Sequence, residues 1–309
     1  MVPYLVQLTM RLSAGLGNVP DEAKGRHVAY TLAAQQPDGG FAGREGGSDL
    51  YYTSFAMRSL SILGQLTGTP AEQAAAYLRG RLSGRETIVD FLSLIYAAHL
   101  LDAAAGIDIF ATASGDWRAA VATAMESLRR DDGGYAKGPE GSASSTYHTF
   151  LVLICLQLLE REMDRPQEAI SFLLSQRGDD GGFREIRAQK RAGTNPTAAA
   201  IAALNILDGL TDDIREETID FLVDMQTDEG GLRANTRIPI ADLLSTFTGC
   251  LTLTDLGALD EIDVAAAHRY GMSLELPDGG FHGAAWDTAS DVEYTFYGLA
   301  TQAILGRAE

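Results

Sequence analysis

A pair of glycines followed by a bulky apolar residue recurs along the chain, and its spacing restricts the possible folds more than any other feature. The five copies read DGGF, DGGY, DGGF, EGGL and DGGF, and begin at Asp38, Asp132, Asp180, Glu229 and Asp278. Their first glycines are separated by 94, 48, 49 and 49 residues. The first interval spans two periods, so we predict a sixth copy that lacks the glycines near Ser83–Glu86. A fixed period of roughly 20 to 50 residues is the signature of a repeat architecture.

Each repeat predicts a pair of helices. An Asp-Gly-Gly sequence accepts positive φ, which suits the end of a helix and a tight turn. A loop follows, and then a second, more apolar helix, as in YHTFLVLICLQLLE. The first helices are predicted near residues 22–36, 70–82, 116–130, 165–177, 213–227 and 261–275. The second helices are predicted near residues 49–64, 86–104, 144–160, 195–209, 241–257 and 290–306. We therefore expect an all-α protein with almost no strand.

The two kinds of helix differ in how polar they are. The second helices are apolar on nearly every face, whereas the first helices carry charge on one side, as in TDDIREETIDFLVDMQ. A helix that is apolar all round must be covered on all sides, so the second helices should form an inner ring. An open solenoid would need polar capping repeats, and the sequence contains none. We therefore predict a closed α6/α6 barrel, or toroid. It forms a single domain over 1–309, with an N-terminal helical extension before repeats at roughly 22–306.

Composition excludes several classes of protein. Hydrophobic residues make up 46% of the chain and charged residues 21%, which is ordinary for a globular protein with a full core. The net charge of −18 disfavours nucleic acid as a partner. Two cysteines, Cys155 and Cys250, lie in apolar helical runs and predict a reducing compartment. No signal-peptide pattern or long uninterrupted apolar run is present, so we expect a cytoplasmic protein without a transmembrane segment.

The repeat resembles one that is shared by protein prenyltransferase β-subunits and squalene-type terpene cyclases. The best matches are DGGFAGREGGSDLYYTSFAMRSLSILG and PDGGFHGAAWDTASDVEYTFYGLATQAILG. The resemblance implies a central apolar cavity, with the chemistry at the mouth where the inner helices begin. Helix N-termini carry partial positive charge, so that mouth would favour a diphosphate.

Zinc is the cofactor that this resemblance would bring. The prenyltransferases hold it with an Asp-x-Cys at the start of the fifth inner helix and a His at the start of the sixth. Here Asp242 is kept, but Leu244 occupies the cysteine position and Tyr294 the histidine position. Because zinc needs three or four N, S or O donors, we predict no zinc site. Mg²⁺ is possible together with a diphosphate.

A second candidate for chemistry is the sequence DVEYT at Asp291–Thr295. It is similar to the Asp-x-Asp-Asp-Thr of cyclases that protonate an alkene. Glu293 would be the general acid, Asp291 the carboxyl that polarises it, and Tyr294 a replacement for the final Asp. The alternative is that acids in a first helical turn interact with the helix dipole. Asp49 and Asp242 lie at similar places in other repeats, which supports that alternative.

The third repeat contains a further polar pair, Tyr147 and His148, at the predicted start of its second helix. The sequence Tyr-His-Thr resembles the histidine-bearing helix start of the family, although it stands in a different repeat. His148 is therefore either a substrate contact or a satisfied polar residue at a helix start.

Basic residues are concentrated in a few loops of this acidic chain, and cations are the natural partners of phosphate oxygens. The predicted diphosphate-binding residues are Arg184, Arg187, Lys190 and Arg191, with Arg233 and Arg237 from the next loop and Arg44 from the first. The alternative is a solvated run of charge.

Aromatic residues on the second helices would suit a polyene chain or a carbocation. The predicted cavity-lining residues are Tyr51, Tyr52, Phe55, Tyr96, Phe150, Phe247, Phe296 and Tyr297. Plain core packing is the alternative for some of them.

Three functions follow from these features and from the resemblance. The first is a prenyltransferase-like protein that binds an isoprenoid diphosphate in its cavity without the zinc site of the family. The second is a terpene cyclase that uses Glu293, and the third is a non-catalytic toroid that binds a lipid or a protein. A helical-repeat partner subunit or a homodimer would fit the first.

Overall fold

The computed structural model describes residues 2–81, 87–111, 116–138 and 143–306. The predicted glycine-free copy at Ser83–Glu86 lies outside these residues. Within them the chain forms thirteen α-helices and three short antiparallel hairpins. Helix α1 (Tyr4–Gly15) precedes the helices of the repeats.

The helices of the repeats fall into two sets of six, as predicted. The first helices of the repeats are α2 (Asp21–Ala33), α4 (Gly68–Arg81), α6 (Trp117–Glu126), α8 (Pro166–Ser175), α10 (Asp212–Val223) and α12 (Val264–Ser273). The second helices are α3 (Leu50–Ile62), α5 (Ile88–Ala105), α7 (Thr146–Leu158), α9 (Thr194–Ile206), α11 (Leu243–Leu256) and α13 (Val292–Leu305).

Most first helices end two to four residues before the predicted boundary. In the first repeat, α2 ends at Ala33 because the following residues turn to meet the glycine loop. The N–H of Gln36 donates to the carbonyl of Gly40 at 2.8 Å, which closes that turn. The positions of the helices along the chain were predicted correctly, but the last residues of most predicted first helices belong to the turn instead.

The strands are short and link three of the glycine loops to the helices after them. Three antiparallel pairs occur: β1 (Phe41–Ala42) with β2 (Ser48–Asp49), β3 (Tyr135–Ala136) with β4 (Ser144–Ser145), and β5 (His282–Ala284) with β6 (Asp287–Ser290). The prediction of almost no strand is therefore close to what the described residues show.

A threonine in the first turn of the second helix explains part of the repeat sequence. Thr53 accepts a hydrogen bond on Oγ1 from the buried N–H of Phe41 at 2.9 Å. The same bond recurs three times, from Tyr135 to Thr149, from Phe183 to Thr197 and from Leu232 to Thr246, at 2.8–3.0 Å. The bond fixes the loop on the helix because a buried N–H needs an acceptor.

The first glycine of each pair brings its loop close to the first helix of the next repeat. Gly181 has φ of +81°, and a Cβ there would overlap the carbonyl of Glu217 in α10. Only glycine combines this φ with so close an approach. Gly279 of the last repeat has φ of +93° and lies in the same way against Arg26 of α2, in the first repeat. The last repeat therefore packs on the first.

The chain divides into two compact units, one of Met1–Trp117 with Gly271–Arg307 and one of Arg118–Tyr270. In the first unit, α13 packs against α3 and α1, and α3 packs against α5. In the second, α9 packs against α7 and α11. In both units the core consists mainly of the second helices, because their side chains are buried on most faces.

Among the described residues, one helix, α5, is long and apolar enough to cross a membrane. It contains Asp90, His99 and Asp102, and therefore did not appear as an uninterrupted apolar run in the sequence. In this structure 56% of it is buried within the protein, which is the pattern of a core helix.

Candidate functional site

Asp291 is the N-cap of α13 and is buried, with only 1% of its side chain exposed. One carboxylate oxygen accepts from the backbone N–H of Tyr294 at 2.8 Å. The other accepts from Nε of Arg44, in the loop between β1 and β2, at 2.7 Å. The guanidinium of Arg44 also lies over the Tyr294 ring, 4.5 Å from its centroid. The bond to Asp291 raises the pKa of Arg44, so Arg44 stays a cation and forms an ion pair with the Asp291 carboxylate.

Glu293 lies two residues further along α13 and has a different environment. Its Oε1 accepts hydrogen bonds from the hydroxyls of Tyr51 at 2.6 Å and Tyr297 at 3.1 Å. Within the described part of the chain, Oε2 takes part in no hydrogen bond. One oxygen of this carboxyl is therefore held in place while the other can carry a proton.

Burial raises the pKa of Glu293, and the charge of Asp291 raises it further. The hydrogen bonds from Tyr51 and Tyr297 and the charge of Arg44 act in the opposite direction. Since the net effect is upward, the protonated carboxyl persists to higher pH than in an exposed glutamate. A positioned carboxylic acid of this kind can serve as a general acid.

Aromatic rings extend from this carboxyl along α3 and α13. Phe55 forms edge contacts with Tyr51, Phe296 and Tyr297, at centroid distances of 4.8, 5.6 and 5.4 Å. We call these four residues the aromatic wall. Phe55 is one helical turn after Tyr51, and Tyr297 one turn after Glu293, so each pair shares a face of its helix.

Arg58 continues the same face of α3, and sequence analysis did not identify it. Its guanidinium lies 4.6 Å from the centroid of Phe55, 4.7 Å from that of Tyr96 and 5.9 Å from that of Phe296. The hydroxyl of Tyr96 donates to the carbonyl of Leu5 in α1 at 3.1 Å, which fixes that ring. The sequence signal that could have identified Arg58 is its spacing of seven residues from Tyr51, which places the two on one face of the helix.

Two further residues predicted for the site lie at the start of α3. Asp49 is the N-cap and accepts from the backbone N–H groups of Tyr51 at 2.8 Å and Tyr52 at 3.2 Å. The Tyr52 ring forms an edge contact with Tyr51 and covers Gly43, where a Cβ would overlap it. Asp49 thus serves the helix start, and burial raises the pKa of Tyr52.

Asp242 lies in the second unit as the N-cap of α11. Its carboxylate accepts from the backbone N–H of Ser245 at 2.7 Å and from the Ser245 hydroxyl at 2.8 Å. Burial raises its pKa. Leu244 offers no donor atom, and among the described residues no three His, Cys, Asp or Glu side chains come together as a metal-binding set. These residues do not fit a tetrahedral zinc site.

His148 is engaged at the start of α7, where its Nδ1 lies 2.6 Å from the hydroxyl of the N-cap Ser145. Burial lowers the pKa of His148. Tyr147 is 39% exposed, and its backbone N–H donates to the carboxylate of Glu185 at 3.4 Å. Sequence analysis missed Glu185, whose pKa is raised by burial. The polar pair of the third repeat thus lies beside a half-buried carboxyl.

The structure separates the predicted diphosphate-binding residues into different environments. Arg184 donates to the carbonyls of Gln176 at 3.1 Å and Arg177 at 2.9 Å, just after α8. Arg233 donates in the same way to the carbonyl of Asp224, after α10, at 2.8 Å. Both guanidinia are therefore occupied by the ends of helices. The residues of the set that are exposed in loops are Arg187, Lys190, Arg191 and Arg237.

The predicted cavity-lining residues also divide between the units. Phe150 of α7 is half-buried and Phe247 of α11 is buried, and both belong to the second unit. The members in the first unit are Tyr51, Tyr52, Phe55, Tyr96, Phe296 and Tyr297.

A family model for the prenyltransferase alpha-alpha toroid domain matches residues 12–78, 92–235 and 197–309. The chain belongs to this family. The resemblance seen in the repeat is confirmed, and so is the prediction of an all-α toroid.

A curated relative in this family is the β-subunit of geranylgeranyl transferase type-2 from Saccharomyces cerevisiae, which is 26% identical over 148 residues. That match covers 47% of this chain and 45% of the yeast protein, so the chain spans under half of the length of this relative.

Two solved structures share the toroid fold. Protein geranylgeranyltransferase-I from Candida albicans, complexed with GGPP, matches with a TM-score of 0.69 at 14% identity, over 90% of both chains. A variant of the type II terpene cyclase MstE from Scytonema, in complex with geranylgeranyl dihydroxybenzoate, matches with a TM-score of 0.63 at 14% identity. It covers 98% of this chain and 99% of the cyclase. At this identity the likeness extends to the fold alone.

Proposed function

We propose that this toroid binds an isoprenoid and begins its cyclisation by transferring a proton from Glu293 to an alkene carbon. The observation that carries the proposal is the Glu293 carboxyl, with Oε1 held by two tyrosine hydroxyls and Oε2 outside any hydrogen bond among the described residues. Burial keeps this carboxyl protonated to higher pH than usual. The type II terpene cyclase and the transferase that share the fold were both solved with geranylgeranyl compounds, which supports an isoprenoid ligand.

The aromatic wall and the tyrosines serve the two charges that the reaction creates. When the proton leaves Oε2 for the alkene, the double-bond electrons form the new C–H bond, and the neighbouring carbon becomes a cation. The carboxylate left behind keeps the Tyr51 and Tyr297 bonds, which stabilise its charge. The faces of Phe55 and Phe296 offer the carbocation an attractive surface that contributes no base.

The test compares wild-type protein with Glu293→Gln on geranylgeranyl and squalene-type substrates, with product analysis. Glutamine keeps the shape of the side chain and an oxygen for the tyrosine hydroxyls but cannot donate a carboxylic proton. A general acid contributes about 10²- to 10⁴-fold, so Glu293→Gln should lower kcat by at least about 100-fold while substrate Kd changes little. Glu72→Gln, at an exposed position of α4, is the matched control and should retain full activity. A fully active Glu293→Gln would rule out Glu293 as the acid.

A second candidate function, binding and transfer of a prenyl diphosphate, is favoured by the exposed cations Arg187, Lys190, Arg191 and Arg237. They oppose a net charge of −18, and each charge-assisted contact to phosphate contributes about 1.5–3 kcal/mol. The double variant Arg187→Ala, Lys190→Ala should therefore weaken prenyl-diphosphate binding by at least about tenfold and leave binding of the prenyl alcohol unchanged. Unchanged diphosphate binding would exclude this candidate function. If Glu293→Gln also had no effect on activity, a non-catalytic toroid would be favoured.

The proposal also includes the cofactors, the partners and the location of the protein. We expect function without zinc, and a need for Mg²⁺ only if the ligand is a diphosphate. A helical-repeat partner or a homodimer, and a cytoplasmic location, would accompany the transferase function. Size-exclusion chromatography with light scattering measures the oligomeric state directly.

A further inference from the structure

We propose that Arg58 binds the anionic head group, a carboxylate or a phosphate, of an amphipathic ligand whose apolar chain lies along the aromatic wall towards Glu293. The identity of that chain as an isoprenoid rests on the function proposed above. The anion site itself rests on the surroundings of Arg58 alone.

Arg58 is surrounded by rings rather than by carboxylates. Phe55, Tyr96 and Phe296 come from three different second helices, and each lies within 6 Å of the guanidinium as measured to its centroid. The rings of Phe55, Tyr96 and Phe296 are themselves buried. Aromatic faces attract a cation, but they do not accept its N–H groups as an oxygen would.

The hydrogen-bonding capacity of Arg58 is not satisfied by the protein. Its Nε is buried and has no hydrogen-bond partner in the described chain. No salt bridge joins Arg58 to any carboxylate of residues 2–81, 87–111, 116–138 or 143–306. A chain with 42 acidic and 24 basic residues has many carboxylates that could pair with it. Keeping a guanidinium unpaired beside apolar groups is costly, so an anion from outside the protein is the natural partner.

The position of Arg58 sets the direction of the ligand. Tyr51, Phe55 and Arg58 stand at i, i+4 and i+7 of α3 and therefore share one face of that helix. Tyr51 contacts Glu293, so Arg58 is seven residues deeper along α3, or about 10 Å at 1.5 Å per residue. A ligand that pairs its anion with Arg58 would present carbon atoms two helical turns away to the Glu293 carboxyl.

An anion at this place also removes an obstacle to the proposed chemistry. An unpaired guanidinium beside Phe55 and Phe296 would repel a carbocation that forms on the same wall. A bound carboxylate or phosphate neutralises that charge before the proton is transferred. The head group would therefore serve both binding and the stability of the cationic intermediate.

The experiment measures binding of three geranylgeranyl probes by isothermal titration: the carboxylic acid, its methyl ester and the monophosphate. Wild-type protein should bind at least one anionic probe at least about tenfold more tightly than the ester, and the preferred anion identifies the head group. Arg58→Met should remove that preference and change ester binding by less than about twofold, because methionine keeps apolar length without charge. Arg58→Lys should retain part of the preference. Arg79→Met, at an exposed position of α4, is the matched control and should behave as wild type.

Dodecanoate and its methyl ester repeat the comparison without an isoprenoid. An Arg58-dependent preference for dodecanoate with no binding of geranylgeranyl probes would support the anion site and remove the isoprenoid proposal. Tight binding of all geranylgeranyl probes without preference for the anion would support the isoprenoid proposal and remove the anion site. Equal losses for acid and ester in Arg58→Met, or no binding of any probe to wild-type protein, would overturn the anion site.

Discussion

At the scale of single residues, two acids near the start of α13 have different environments. Asp291 accepts hydrogen bonds from the first turn of α13 and from Arg44. Glu293 faces tyrosine hydroxyls and the aromatic wall, and burial raises its pKa. Asp291 therefore forms an ion pair, whereas the Glu293 carboxyl can hold a proton.

The pH dependence of activity should follow the tyrosine bonds to Glu293. Since the acid must be protonated, activity should fall as pH rises through its raised pKa. The Tyr51 bond lowers that pKa, so Tyr51→Phe should move the alkaline limb of the pH–rate profile to higher pH. Tyr30→Phe, which removes a hydroxyl bonded to Ser290 instead, should leave the limb in place. A shift to lower pH in Tyr51→Phe would contradict this assignment.

The same raised pKa predicts how stability changes with pH. The folded state binds the Glu293 proton more tightly than the unfolded chain does. The stabilising contribution is complete below the unfolded pKa and is lost as pH rises through the folded pKa. Glu293→Gln should therefore remove this part of the pH dependence of unfolding.

Asp242 gives a separate prediction about metal. Its carboxylate caps α11, so Asp242→Ala should cost about 0.5–2 kcal/mol of stability, measured by denaturant unfolding. Elemental analysis should show no stoichiometric zinc in either protein. One zinc per chain that is lost in Asp242→Ala would mean that the alignment of Leu244 and Tyr294 with the zinc ligands of the family is wrong.

At the scale of elements, the repeated unit is a glycine loop bonded to the helix that follows it. The N–H of the buried bulky residue reaches a threonine hydroxyl twelve or fourteen positions later. That threonine also donates to the carbonyl of a helix N-cap residue, as Thr149 does to Ser145 at 2.8 Å. One side chain thereby satisfies groups of both the loop and the helix.

Removing that hydroxyl should destabilise the protein. Thr149→Val keeps the volume but leaves the buried N–H of Tyr135 without an acceptor, which should cost about 1–3 kcal/mol in the free energy of unfolding. Thr149→Ser keeps the hydroxyl and should cost less. Equal losses in the two variants would indicate that the methyl group, rather than the hydrogen bond, stabilises the loop.

At the scale of the whole molecule, contact between the last and first repeats distinguishes a closed ring from an open superhelix. The loop at Gly279 lies against Arg26 of α2, and the N–H of Gly280 donates to Nδ1 of His27 at 3.1 Å. His27 stacks on Phe281 at 5.2 Å between centroids, and its Nε2 lies 3.4 Å from Glu275. The last repeat therefore contacts the first through the same kind of glycine contact that Gly181 makes with Glu217 of the next repeat.

Gly279→Ala should weaken that junction. Its φ of +93° is strained for alanine, and the added Cβ would overlap the Arg26 carbonyl, so we expect a loss of at least about 1–3 kcal/mol. Gly25→Ala is the control, because a Cβ there contacts nothing within 4 Å in α2, where alanine favours the helix. Thermal unfolding measures both. A melting temperature for Gly279→Ala equal to that of wild type would show that the junction contributes nothing to stability.

The periodic sequence was enough to predict the helical hairpins, because glycine turns, helix ends and apolar faces are set within a few dozen residues. It also identified Asp291, Glu293, Tyr51 and Phe55 as candidates for a site. It did not reveal which of them meet, since the Arg44 bond to Asp291 and the Tyr51 bond to Glu293 join residues 247 and 242 positions apart.

Tertiary structure also determines which charged side chains are paired and which are exposed. Arg184 and Arg233 looked equivalent to Arg187 in the sequence, yet helix carbonyls hold the first two while the third is exposed. In the sequence, Arg58 is one polar residue on an apolar helix. In the structure, its guanidinium lies against rings from α5 and α13. A local pattern specifies which helix forms and which face is apolar. The protonation and pairing of a side chain depend on the dielectric and the partners around it, and only the packing of distant segments supplies those.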